Sequence, residues 1–309
     1  MHRRKRKKKG LLAGMIVFAA LAIGFYVLAV VGTGDGGSIP TNTGSANTGT
    51  DPQRLDAVEP SSAHPPGFPL FTAEVHTSEL TDTQYLKLVN REHALAAPVS
   101  DARLVTVWPD MPARTNYVTL HTTAFSAMRE LFTAAQNANI GSLFIASGYR
   151  SNDEQSQIYA NAVDSRYVMP PGHSEHQLGI AADILTSAHD FQSIRGTPEA
   201  EWLAENAPQF GLILRYPYDK QDITEVAYEP WHFRYVGQVH AWYMGLRNFV
   251  LEEYIAYLGE QGGYQAEFDG RTYSVLYQRP ENGMIFVPEG LNFWVSSANT
   301  GGYIVTAWR

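Results

Sequence analysis

The chain has 309 residues, 44% of them apolar, with 26 glycines and no cysteine, a composition suited to one sizeable globular domain or two small ones. The lack of cysteine excludes a disulfide framework and every thiolate nucleophile or metal ligand. The formal charge of −8 conceals an asymmetry: seven basic residues precede the first acidic one, Asp35, and the rest carries 16 basic against 31 acidic residues, which excludes the positive field that nucleic-acid phosphates require.

The basic segment, 1–10, is followed by 22 uncharged residues, 11–32. At 1.5 Å rise per residue such a helix crosses a hydrocarbon core of about 30 Å. The positive-inside rule then keeps residues 1–10 in the cytoplasm and places everything after residue 32 outside. A cleaved signal peptide would have a shorter apolar stretch of roughly 7–15 residues. The expectation is therefore an uncleaved, single-pass anchor in the cell membrane. Residues 33–68 are rich in Gly, Ser, Thr, Asn and Pro; they can bury little and read as a flexible linker.

Globular sequence occupies 69–257. Residues 85–108 read as short strands and turns. From 120 to 138 the apolar positions Leu120, Ala124, Ala127, Met128, Leu131 and Ala135 follow helical spacing. Residues 142–146 read as a short buried strand, and a second helix is predicted over 152–163 with Ser151 as N-cap. Helical spacing returns at 198–209, closed by Gly211. Residues 231–237 read as a strand and 240–258 as a helix. Helices mixed with short, locally connected strands predict an α+β fold. Residues 258–309 are Gly-rich and aromatic, a β-rich C-terminal appendage. Its aromatics, Tyr273, Tyr277, Phe286, Phe293, Trp294, Tyr303 and Trp308, could stack on sugars, but the commoner role of such residues is to fill a small β core.

Three segments carry the chemistry: SGYRS (147–151), PGHSEHQLGIAAD (171–183) and EPWHFRYVG (229–237). A catalytic zinc site needs about three N/O ligands and one open position for water. His176, Asp183 and His232 meet that need, with Glu229 as the base that takes the water's proton and Arg150 facing the oxyanion. Seven positions separate His176 from Asp183, so a straight strand would aim them at opposite faces; Gly179 between them permits a bend. Pro230 keeps Glu229 and His232 out of a helix interior. A carboxylate within GIAADIL is costly without a cation beside it. His173 reads as a neighbour of the ligands or a surface group, and His64, His76, His93, His121, His189 and His240 as structural.

Together these segments resemble the VanY-type D-alanyl-D-alanine carboxypeptidases and the related L,D-carboxypeptidases of bacterial cell walls, over about 68–257. The family pattern Ser-x-His-x6-Asp is met by Ser174, His176 and Asp183, and Glu-x-x-His by Glu229 and His232. The resemblance implies a small antiparallel sheet flanked by helices, with zinc in a cleft on the sheet. It also implies His176, Asp183 and His232 as ligands, Glu229 as general base and Arg150 as the transition-state arginine. By the same carry-over Ser174 binds substrate, with Tyr149 and Gln155 as further candidates. The implied substrate is the peptidoglycan stem peptide, losing its C-terminal D-alanine. The resemblance covers neither the linker nor the appendage.

Rival readings leave traces that can be checked. A serine D,D-peptidase needs Ser-x-x-Lys, and no lysine here has serine three positions earlier. No G-x-S-x-G or H-E-x-x-H segment is present. An L,D-carboxypeptidase acting on tetrapeptide stems, an endopeptidase and a non-catalytic wall-binding module remain as alternatives.

Overall fold

A computed structural model describes residues 71–97 and 103–309, all within one compact unit, Arg54–Arg309. The basic segment 1–10, the expected anchor 11–32 and the linker 33–68 lie outside the described residues. Among the described residues no helix is long and apolar enough to cross a membrane.

The fold is α+β. In chain order it begins with β1 (Phe71–His76), β2 (Leu104–Thr106) and β3 (Thr119–His121), followed by α1 (Thr122–Asn137), β4 (Leu143–Ser147), α2 (Asn152–Ala160) and β5 (Ala181–Thr186). Then come α3 (Pro198–Asn206), β6 (Leu212–Leu214), the single turn α4 (Gln221–Thr224), β7 (His232–Tyr235), α5 (Gln238–Arg247) and α6 (Leu251–Gln261). The chain ends in β8 (Gly263–Phe268), β9 (Arg271–Gln278), β10 (Met284–Pro288), β11 (Asn292–Ser297) and β12 (Tyr303–Trp308).

Four strands in the order β4-β5-β7-β6 form the antiparallel sheet that carries the chemistry. The stripe Ala124, Ala127, Met128, Leu131, Phe132 and Ala135 buries α1 in a core with Ile145, Ile184 and Phe233 of that sheet, as one apolar helical face must. Leu120, expected in this helix, belongs to β3; the helix starts later because the His121 side chain accepts from Thr123 N–H at 3.2 Å and caps it. A reciprocal Ser151–Glu154 box opens α2, which stops at Ala160 rather than 163. The helix expected over 240–258 is two, α5 and α6. Asn248 takes a left-handed conformation (φ 52°) and gives its N–H to the carbonyls of α5, a stop that asparagine tolerates better than most residues.

A second antiparallel sheet, β11-β12-β9-β8, shares a core with α5 and α6. Tyr264, Val275, Tyr277 and Ile304 pack with Tyr243, Tyr254, Ile255 and Leu258. The segment leading into the first sheet is tied to it as well. Leu86 N–H donates to Ser296 Oγ at 3.0 Å and Leu88 N–H to Ala298 O at 3.1 Å.

Candidate metal centre

Register in the first sheet creates the centre. On β5, Asp183 pairs with His232 of β7 on one side and with Ser147 at the end of β4 on the other. His176 arrives from a 3-10 turn, Glu175–Leu178, that ends in Gly179 at φ 71°. The positive φ favours glycine at 179, and a Cβ there would also have to displace Leu104 Cδ2, 2.9 Å away. Gly148 answers a close approach too: a Cβ there would meet the Thr119 carbonyl oxygen at 2.3 Å. That contact seats the SGYR turn against β3, where Tyr149 donates its N–H to Thr119 O at 2.8 Å.

The result is a cluster of three buried donors, one atom each from His176, Asp183 and His232, all within 4.8 Å of one another. Asp183 Oδ1 lies 3.4 Å from His176 Nε2 and 3.1 Å from His232 Nδ1. Hydrogen bonds on the far sides fix which nitrogens face inward. The Gly148 carbonyl can only accept, so at 2.7 Å it takes the proton of His176 Nδ1 and leaves Nε2 as a lone pair. His232 Nε2 sits 3.2 Å from Glu175 Oε2, which turns its Nδ1 toward Asp183. Burial and the Arg150 charge push His176 down to about 4, so it is neutral at pH 7. Burial opposes a charge on His232, yet its bonds to Asp183 and Glu175 raise it to about 9; a divalent cation competes with that proton for Nδ1. Asp183 stays ionised despite burial, held down by His176, His232 and Arg150. Two imidazole nitrogens and one carboxylate, inward-facing and backed by hydrogen bonds, fit a tetrahedral divalent metal with a fourth position open.

Glu229 stands beside this cluster, its Oε2 4.0 Å from His232 Nδ1. Its backbone N–H is held by Tyr216 O at 3.0 Å, and Pro230 and Trp231 form the turn into β7. Burial, followed by the Asp183 charge among the effects acting the same way, lifts its carboxyl to about 8 against the attraction of His232. A carboxyl that titrates near neutrality is matched to proton transfer. Arg150 spreads three bonds: Nη2 to Asp183 Oδ2 at 3.0 Å, Nε to Ser147 Oγ at 3.0 Å and Nη1 to Gln155 Oε1 at 3.3 Å. Gln155, nearly fully buried, is itself fixed by Met169 O at 2.6 Å. Ser174 is buried at the entry to the His176 turn, and Tyr149 is half-buried beside Arg150. His173 lies aside, its Nδ1 2.7 Å from Asn90 O.

Sequence reasoning overlooked Glu175. It is fully buried with two guanidiniums, and its Oε1 accepts from Arg215 Nε at 2.7 Å and Arg234 Nη1 at 2.8 Å. Arg215 continues to Glu252 of α6 at 2.6 and 2.8 Å. Arg234 reaches the carbonyls of Gln84, Tyr85 and Lys87. Tyr216 was overlooked too; its ring lies 4.9 Å from that of His232. The one signal available was two arginines inside apolar strand sequence, which demanded a buried acid.

Comparison with known proteins gives concordant findings. The family profile described as VanY, D-alanyl-D-alanine carboxypeptidase, matches residues 117–238. A D-alanyl-D-alanine carboxypeptidase of Enterococcus faecium is 39% identical over 180 residues, which are 58% of this chain and 58% of that protein. The match thus spans less than two thirds of that curated relative. The crystal structure of the vancomycin-resistance D,D-dipeptidase VanXYg, in complex with a D-Ala-D-Ala phosphinate analogue, superposes with a TM-score of 0.66 at 30% identity, covering 77% of this chain and 98% of that one. The LD-carboxypeptidase LdcB, whose structure concerns peptidoglycan recognition, superposes with a TM-score of 0.52 at 34% identity over 56% of this chain and 86% of its own.

Proposed function

The chain belongs to the VanY family of D-alanyl-D-alanine carboxypeptidases, and from that premise we propose that it is a zinc-dependent D,D-carboxypeptidase removing the C-terminal D-alanine from peptidoglycan stem peptides. The observation that carries this reading is the pair of inward-facing imidazoles converging with them on Asp183, with Glu229 Oε2 4.0 Å from His232.

His176 Nε2, Asp183 Oδ1 and His232 Nδ1 would hold the zinc. When bound, the ion supplies Lewis acidity toward a water and the scissile carbonyl. Glu229 takes the water's proton as attack proceeds and returns it to the departing amine, two transfers open to a buried carboxylate that stands 4.0 Å from His232 Nδ1. Arg150 is presented by Ser147, Gln155 and Asp183 to the developing oxyanion, so its charge is in place before the reaction. Ser174 is assigned to the substrate's terminal carboxylate, with Tyr149 and Gln155 shaping the wall beside it.

The proposed layout is a catalytic unit over 69–257 with the β-rich segment 258–309 packed on it, carried by the linker 33–68 from the anchor 11–32 so that it works outside the cell. The test is incubation of the purified protein with defined muropeptides, with and without a chelator, read by mass spectrometry. Loss of one D-alanine from pentapeptide stems, abolished by chelation and restored by zinc, is expected. Loss from tetrapeptide stems alone would instead make it an L,D-carboxypeptidase. No released residue from either would leave a binding module.

A further inference from the structure

The stretch between β5 and α3 carries a cation that the proposed mechanism leaves unused. Arg195 is exposed, but its backbone is pinned on both sides. Ile194 before it is fully buried and gives its N–H to Asp190 O at 3.0 Å. Thr197 after it caps α3 and donates its hydroxyl to Ile194 O at 2.9 Å. The guanidinium carbon stands 5.3 Å from the ring centroid of Trp231, 5.5 Å from Tyr167 and 6.0 Å from Tyr228. Its Nη2 donates to Tyr167 Oη at 3.2 Å.

These contacts set Arg195 beside the turn that carries the base, because Tyr228 immediately precedes Glu229 and Trp231 immediately precedes His232. Among the described residues no Asp or Glu oxygen lies within 4.0 Å of it. Arg150 is committed to Asp183, and Arg215 and Arg234 to Glu175. A planar guanidinium held on aromatic faces, with donors still free, is preorganised to take a carboxylate. The terminal carboxylate of a carboxypeptidase substrate is one residue beyond the scissile bond, the place already given to Ser174. A second carboxylate on the substrate would give the remaining donors of Arg195 a partner.

We infer that Arg195 binds a carboxylate borne by the substrate peptide upstream of the scissile bond, so that the enzyme prefers acidic stem peptides to their amidated counterparts. This rests on the peptidase reading proposed above. The experiment uses the zinc-loaded full chain and two pairs of synthetic pentapeptides ending in D-Ala-D-Ala. Within a pair the only difference is a carboxylate or a carboxamide, at the second residue in one pair and the third in the other. In at least one pair the acidic member is expected to have a kcat/KM about fivefold higher, carried by KM, the upper range for an exposed ion pair. Arg195→Gln should bring that ratio to about one, and so should Arg195→Met, which keeps the stem over the rings should the glutamine variant fold poorly.

No preference in either pair, or a preference surviving in a folded variant, overturns the inference. If the wild-type chain releases nothing from any peptide, the peptidase reading fails instead. Calorimetric binding of the same pairs to the Glu229→Gln protein then decides the Arg195 question by itself: tighter binding of an acidic member supports it, equal binding refutes it.

Discussion

Glu175 Oε2 lies 3.2 Å from Nε2 of His232, and neither side chain reaches solvent appreciably. Burial works against ionisation of Glu175, but Arg215 and Arg234 hold its carboxyl far below the usual range. The inward-facing nitrogen of His232 is thus oriented by a permanently charged group, itself anchored through Arg215 to α6 and through Arg234 to the segment at 84–87.

Glu175→Gln keeps the shape and removes the charge. It leaves Arg234 without a counter-ion and Arg215 with Glu252 alone, expected to cost about 3–5 kcal/mol of stability. Loss of a partner behind a metal-binding imidazole should also weaken zinc about 10–100-fold. Denaturant unfolding and competition against a chelating dye measure the two effects separately. Undiminished zinc affinity in the folded variant would reduce Glu175 to a structural role.

Glu229→Gln should retain zinc and lose turnover by at least about 10²–10⁴, the usual contribution of a general base. Metal analysis beside steady-state kinetics tests this. A fully active glutamine variant removes the proton-transfer assignment.

Arg150→Lys preserves the charge but not the fork that spans Ser147, Gln155 and Asp183. Misplacing an oxyanion donor costs on the order of 10²–10³ in kcat. The fall should appear in kcat with KM little changed, and a selective rise in KM would instead assign Arg150 to ground-state binding.

Zinc added at about 100 times its dissociation constant should stabilise the chelator-treated protein by about 2.7 kcal/mol, seen as an upward shift of the melting temperature. His176→Ala removes one of three ligands and should abolish that shift. A variant that responds to zinc as the wild type does would place the metal elsewhere.

His240 is a buried group outside the centre, with Nδ1 against Tyr254 Oη and Nε2 2.9 Å from Thr306 Oγ1. Burial lowers it from 6.5 to about 3. Between those values the unfolded chain binds more protons than the folded one, so its stability contribution is complete above pH 6.5 and is lost as pH falls toward 3. The slope from this group is at most about 1.4 kcal/mol per pH unit. His240→Gln should remove it, which urea unfolding at pH 7, 6 and 5 would register. An identical pH slope in the variant would contradict the assignment.

Legible from the residues alone were the amphipathic stripe of α1, the cap of α2, the α+β class and the order in which SGYRS, the His176–Asp183 segment and Glu229–His232 occur. Those are features of side-chain type and local spacing, which short-range geometry fixes. The sequence could not place Asp183 opposite His232, since that pairing is a matter of register between β5 and β7. Nor could it show that Glu175 is a buried counter-ion: between Ser174 and His176 it reads as a solvated acid, and its arginines are 40 and 59 positions away. Asn248 likewise gave no sign that one predicted helix would be two, because an asparagine adopts the left-handed turn only where packing on both sides rewards it. Whether a charge is buried, and which imidazole nitrogen faces inward, depends on partners supplied from distant segments, and only the folded chain brings those partners within hydrogen-bonding reach.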